Sequence, residues 1–174
     1  MRKISQLVIL VCCFVIIFNK VSAEGDVSKA EALFIYNFTR YVEWPAQANN
    51  SSFVIYVYGS AQVFSELKEY TADKMVGTQP ITLKKISSID EIDNCNLIFV
   101  AFSKTKDIKA IKSKLNNNKT LIITERAGAL EEGSIINFVF NEDKLGYEIN
   151  PTNASNAGLK LNSVIINYAK KNKS

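Results

Sequence analysis

Leu97-Ile98-Phe99-Val100-Ala101-Phe102 runs for six residues without a polar side chain. In a strand, successive side chains point to opposite faces, so this run presents apolar groups on both sides of its sheet. Such a strand has to be covered twice. That is the position of a central strand in a parallel sheet layered between helices. The run therefore points to an α/β domain rather than a helical bundle or an antiparallel sandwich.

The flanking pattern agrees. Phe53 to Tyr58 is β-branched and aromatic, ends at Gly59, and reads as a buried strand. Ala61 to Tyr70 carries Val63, Phe64, Leu67 and Tyr70 at helical spacing. Ile81 to Ile86 reads as a strand nearer the edge, because Lys84 and Lys85 sit in it. Ser103 is placed to cap a helix whose Ile108, Ile111 and Leu115 form one stripe, and Thr120 to Thr124 is a short apolar strand.

Beyond Gly128 and Gly133 the alternation changes. Ser134 to Phe140 and Lys144 to Asn150 are separated only by Asn141-Glu142-Asp143, which makes them an antiparallel hairpin. A last helix is expected from near Thr152 or Gly158, with Leu161, Val164, Ile165 and Tyr168 inward. Leu159 and Ile166 then lie on nearly the opposite side, beside Asn162 and Lys170. The expected fold is a single α/β domain with helices on both faces. Its mixed sheet has a parallel centre, a C-terminal antiparallel hairpin and a closing helix.

Residues 1–23 have the layout of a cleavable export signal. Arg2 and Lys3 precede an apolar run from Leu7 to Phe18, and Val21-Ser22-Ala23 supplies small residues for cleavage. The run is twelve residues long, against roughly 20 needed to span a bilayer. The domain then occupies 24–174, and the expected address is the periplasm. Removing Arg2, Lys3 and Lys20 lowers Lys+Arg from 21 to 18 against 17 Asp+Glu, a net charge of +1. That balance gives no electrostatic case for nucleic acid.

The mature chain opens with a helix. Leu33, Trp44, Ala30, Tyr41, Phe34, Phe38, Val42 and Ile35 fall in one broad arc, with Lys29, Arg40, Glu43 and Thr39 opposite. Glu31 and Asn37 project inside the apolar arc, where a buried amide needs hydrogen-bond partners. Trp44-Pro45 ends the segment, since the residue before a proline is pushed out of the α region.

Catalytic equipment is missing. The sequence has no histidine, which removes Ser-His-Asp and Cys-His systems and imidazole-bound metals. Cys95 is the one cysteine outside the leader, so it has no intramolecular partner and reads as a small core residue. No glycine-rich phosphate loop and no Asp-x-Asp calcium loop occurs. Carboxylate chemistry remains, but Glu131-Glu132 before Gly133 reads as a solvated turn, and Glu148 has no second titratable group placed nearby by the sequence. The reading is no catalytic residues, no cofactor and no metal.

KAEALFIYNFTRYVEWP at 29–45, CNLIFVAF at 95–102, GSIINFVF at 133–140, YEINP at 147–151 and AGLKLNSVIINYA at 157–169 together resemble the YfiR family of secreted bacterial regulators. The residues that carry the resemblance are Tyr36, Asn37, Phe38, Trp44, Pro45, Asn137, Phe138 and Asn150, with roles that are mainly structural. The resemblance implies a periplasmic inhibitor. It would bind the periplasmic domain of an inner-membrane diguanylate cyclase and so control cyclic di-GMP synthesis and biofilm formation. Some family members carry disulfides that tie inhibition to redox state; Cys95 matches a family cysteine but lacks a partner.

Combined with the expected wheel of the last helix, this places the partner surface at Glu148, Leu159, Lys160 and Ile166. Two further readings stay open. One is a small-molecule sensor with its pocket at the carboxyl ends of the parallel strands, where open α/β sheets bind ligands. The other is a carboxylate-dependent enzyme. Homodimerisation is compatible with either binding role.

Overall fold

The computed structural model describes residues 25–45, 51–115, 119–141 and 144–171. The expected export signal at 1–23 and the hairpin link at 142–143 lie outside the described residues. Helix α1 (25–41) opens the domain and leads into a two-residue strand β1 (Val42–Glu43). There follow β2 (Phe53–Tyr58), α2 (Ala61–Thr71), β3 (Met75–Val76), β4 (Gln79–Ile86) and β5 (Leu97–Val100). A 3₁₀ stretch (Phe102–Asp107) then runs into α3 (Ile108–Leu115), β6 (Leu121–Thr124), β7 (Ile136–Asn141) and β8 (Lys144–Ile149). The chain closes with α4 (Pro151–Asn156), β9 (Lys160–Leu161) and α5 (Ser163–Lys171).

Seven strands form the main sheet in the order β3-β4-β2-β5-β6-β7-β8. β4, β2, β5, β6 and β7 are parallel, and β3 and β8 pair antiparallel at the two edges. This is the mixed α/β sheet expected from the sequence, and the apolar run containing β5 lies at its centre. The chain leaves β2 towards β4 through α2, and leaves β5 in the other direction through α3. Right-handed crossovers in opposite directions put their helices on opposite faces.

Each face then has its own core. Leu97, Phe99 and Ala101 pack with Val63 and Leu67 of α2 and with Ala32, Ile35 and Phe38 of α1. Ile98 and Val100 pack with Ile111 and Leu115 of α3 on the other side. An aromatic cluster joins α1, the hairpin and α5. Phe38 meets Tyr147 edge-on at 4.9 Å, Phe34 lies 5.9 Å from Tyr168, and Tyr147 and Tyr168 stack at 5.1 Å. Such pairs add about 0.5–1.5 kcal/mol each beyond their buried area.

Two helical wheels read from the sequence are corrected. α1 buries Ser28, Glu31, Ala32, Ile35, Phe38 and Thr39, a face rotated away from the expected arc, and leaves Leu33 44% exposed. The expected arc counted Trp44, which lies beyond the helix because Val42–Glu43 pairs with Lys160–Leu161. Leu159 is the second correction. It is buried in the core rather than on an outer face. Gly158 takes φ 70°, a left-handed conformation that stops α4, and β9 then resets the phase before α5 begins. In α5 it is Ile165 and Ala169 that face inward, while Val164 and Tyr168 are exposed and Ile166 is half-buried.

Burial predicts opposite costs at two neighbouring apolar positions. Leu159→Ala should destabilise the domain by about 2–5 kcal/mol, as for other buried leucines. Val164→Ala should stay within about 0.5 kcal/mol. Urea unfolding of the two variants checks this, and equal losses would contradict the assigned phase of the C-terminal segment.

Candidate functional site

The strand order reverses between β2 and β5, because β2 sends the chain one way and β5 the other. In open α/β sheets, the carboxyl ends of strands beside such a switch point leave a crevice. Here the crevice is a solvent-open cleft of about 520 Å³. Gly59 follows β2, Ala101-Phe102 follows β5, and Glu125 follows β6. β7 continues past its last pairing with β6, at Thr124↔Asn137, and contributes Phe138 and Phe140 as a wall. The first turns of α1 close the remaining side with Glu31.

Local chemistry explains the shape of this edge. Gly59 has φ 95°, and a Cβ there would come within 2.6 Å of the Lys104 side chain, so the turn needs glycine. Ser60 then caps α2, its hydroxyl oxygen accepting the Val63 N–H at 3.1 Å. Phe102 and Phe140 are 67% and 56% exposed at the cleft. Phe138 is buried beneath them.

Two carboxyl groups meet in the cleft. Glu31 is only 4% exposed and is hydrogen-bonded to Glu125. Glu125 also accepts the Phe102 backbone N–H at 2.8 Å. Two carboxyl groups bond to each other only through a shared proton. Burial, the neighbouring Glu125 charge and this hydrogen bond raise Glu31 from 4.5 to about 9. Burial also raises Glu125, while the Phe102 N–H and the Glu31 bond pull it down. The proton therefore resides on Glu31, and Glu125 is its acceptor. Of the two, Glu125 gives up its proton first.

The residues singled out by the sequence fall in other places. Asn137 is fully buried: its Oδ1 accepts from Thr124 Oγ1 at 2.8 Å and from the Arg126 N–H at 2.9 Å, and its Nδ2 donates to Glu148 at 3.1 Å. Glu148 thus lies across the hairpin from Asn137, half-buried. Asn150 caps α4, accepting the Asn153 N–H at 3.1 Å. Trp44 is half-buried. It meets Phe53 edge-on at 4.8 Å and donates its indole N–H to the Asn96 carbonyl at 3.0 Å. Tyr36, Asn37 and Pro45 are half-buried, and Phe38 and Phe138 belong to the core.

Lys160 is exposed and faces Glu43 in the β1–β9 ladder. With Leu159 in the core and Ile166 half-buried, the four expected partner residues do not form one exposed patch. Exposed apolar area lies instead at Val164 and Tyr168 of α5 and at Leu33 of α1, two helices joined through the Phe34–Tyr168 contact. Sequence reasoning singled out Phe138 as a motif residue, but neither the cleft's carboxyl pair nor Phe102 and Phe140. The available signal was Glu31, an acidic residue inside an apolar helical arc.

Glu132 is ion-paired with Arg126. Among the described residues, no cluster of three or more His, Cys, Asp or Glu could hold a metal ion, and no helix is long and apolar enough to cross a membrane. Cys95 is buried, and burial pushes its thiol up to about 12. The nucleophilic thiolate is then scarce at neutral pH. A thiol reagent such as iodoacetamide should accordingly modify Cys95 only as fast as the domain opens, and modification as fast as that of a free thiol would contradict its burial.

The carboxyl pair makes stability depend on pH. Glu31 binds its proton more tightly folded than unfolded, so its contribution is complete below the ordinary carboxyl range and is lost as pH rises towards about 9. The slope reaches about 1.4 kcal/mol per pH unit for one proton. Glu31→Gln keeps a neutral donor and should remove that slope, making the variant more stable than wild type by about 1–3 kcal/mol at pH 8. Parallel urea curves at pH 5 and pH 8 test the sign.

Comparison with curated proteins gives no match. A family model described as YfiR/HmsC-like matches residues 28–170, which takes in most of α1 and nearly all of α5. The resemblance carried by the opening helix, the hairpin and the tail is thereby borne out. The chain belongs to the YfiR/HmsC-like family, a family of periplasmic regulators of the diguanylate cyclase pathway rather than of enzymes.

Proposed function

We propose that this protein is exported by cleavage of residues 1–23 and inhibits an inner-membrane diguanylate cyclase by binding its periplasmic domain. The observation that carries this reading is the family match over 28–170. The absence of histidine from the sequence is in keeping with a binding role. Bound inhibitor holds the cyclase inactive, and release permits cyclic di-GMP synthesis and biofilm formation.

The binding surface we assign differs from the one expected from the sequence. It centres on Val164 and Tyr168 of α5, with Leu33 of α1 beside them and Lys160 at the margin. Their support is exposure: Val164 is 55% and Tyr168 42% exposed. Aromatic and aliphatic anchors surrounded by polar residues are the usual centre of a protein interface. Glu148 is better accounted for by its bond to Asn137.

Val164→Asp isolates this surface from folding. Val164 sits in the first turn of α5, where Asn162 Oδ1 accepts its N–H at 2.9 Å. A carboxylate there is favoured by the helix dipole, so stability should change by less than about 0.5 kcal/mol. Binding to the membrane partner should weaken by more than about 1 kcal/mol, and cyclic di-GMP in the native host should rise towards the level of a gene deletion. A well-folded Val164→Asp protein that represses as wild type does would remove α5 from the interface. A deletion that leaves cyclic di-GMP unchanged would remove the cyclase as partner.

A further inference from the structure

We propose that the cleft at the carboxyl edge of the sheet binds a small organic cation, an ammonium group on an apolar body. Its nitrogen is held by Glu31 and Glu125, and its body lies against Phe102 and Phe140. The cleft itself is the first observation: about 520 Å³, open to solvent, at the point where the strand order reverses. Ligand pockets commonly fall in the range of roughly 300–1,000 Å³, mostly apolar with a few converging polar groups.

The second observation is a pair of carboxyl groups that no cation among the described residues salt-bridges. Glu31 and Glu125 are the ionisable side chains lining the cleft. The ion pairs among the described residues are Lys114–Asp90 and Arg126–Glu132, and neither involves this pair. The nearby Lys104 lies over the Tyr58 ring, its Nζ 5.1 Å from the centroid. Glu125 is half-buried and held by one backbone N–H, and an ammonium in the cleft would donate to both carboxyl groups.

The third observation concerns the rim. Phe102 and Phe140 are among the most exposed large apolar residues described, and both line this one cleft. Phenylalanine faces attract an organic cation and cover its hydrocarbon part. An anion would meet the Glu125 carboxylate. A calcium ion would find two carboxyl groups where it needs six or more oxygen ligands. The inference concerns a different surface from the partner face on α5, and its test involves no partner protein.

The experiment is calorimetric titration of the full mature chain at neutral pH with butylammonium, phenethylammonium, phenylacetate and calcium chloride. We expect saturable binding of the ammonium probes, tighter for phenethylammonium, and none of phenylacetate or calcium. Glu125→Gln should weaken ammonium binding by about tenfold or more, the loss of a charge-assisted contact. Phe140→Ala, at an exposed position, should weaken phenethylammonium more than butylammonium. Glu31→Gln keeps the neutral side chain that Glu31 presents at neutral pH and should leave ammonium binding within about threefold, and thermal melts check that each protein is folded. Absence of saturable binding by either ammonium probe up to about 10 mM, a limit near the weakest specific affinities, overturns the proposal. So does undiminished binding by folded Glu125→Gln, or equal binding of phenylacetate.

Discussion

The requirement to cover β5 on both faces organises the molecule. Leu97 and Phe99 face one way and Ile98 and Val100 the other, and all four are completely buried. Each buried side chain of this size contributes about 1.5–3 kcal/mol relative to exposure, so neither face can be left open. α3 covers one side directly after β5. The other side needs α2 and α1 together, and α1 comes from the far end of the sequence to do so. Its arrival brings Glu31 to the carboxyl edge and Phe34 and Phe38 to the hairpin aromatics.

This dependence separates what could be read from the sequence from what could not. The parallel centre was legible in Leu97 to Phe102, because a strand without polar side chains has few other places to go. The hairpin was legible in the short spacing between two extended runs. Side-chain direction in the terminal helices was not. For α5, periodicity carried through Gly158 assumed a single helix, whereas α4 stops there and β9 shifts the phase. A left-handed glycine followed by two strand residues leaves no mark on a helical wheel. For α1, Trp44 pulled the apparent apolar centre around, although tertiary pairing of Val42–Glu43 with Lys160–Leu161 had already ended the helix.

The carboxyl pair was hidden for a different reason. Glu31 and Glu125 are far apart in sequence, and although Glu31 stands out inside an apolar arc, nothing in either segment points to the other. Only the convergence of α1, β5 and β6 makes them neighbours, and burial together with the adjacent Glu125 makes Glu31 hold a proton at neutral pH. By contrast, Asn137 and Asn150 lie within recognisable family motifs. Their structures show why an amide fits there: each satisfies backbone groups that a strand end or helix start leaves unpaired.

α1 places the cleft and the α5 face in one mechanical unit. Glu31 lines the cleft, while Phe34, three residues further along, packs against Tyr168. A turn of α-helix separates them, and a helix transmits displacement along its axis because its hydrogen-bonded backbone is stiff on that scale. Phe38, one turn beyond Phe34 on the same face of α1, meets Tyr147, whose hydroxyl donates to the Ile165 carbonyl of α5 at 3.2 Å. A cation that drew Glu31 towards Glu125 would act on the same helix that seats Tyr168. Any resulting change in the α5 surface would appear as a coupling free energy between ligand and partner. Linkage makes that coupling reciprocal: a ligand that loosens the partner must itself be bound less tightly in the complex.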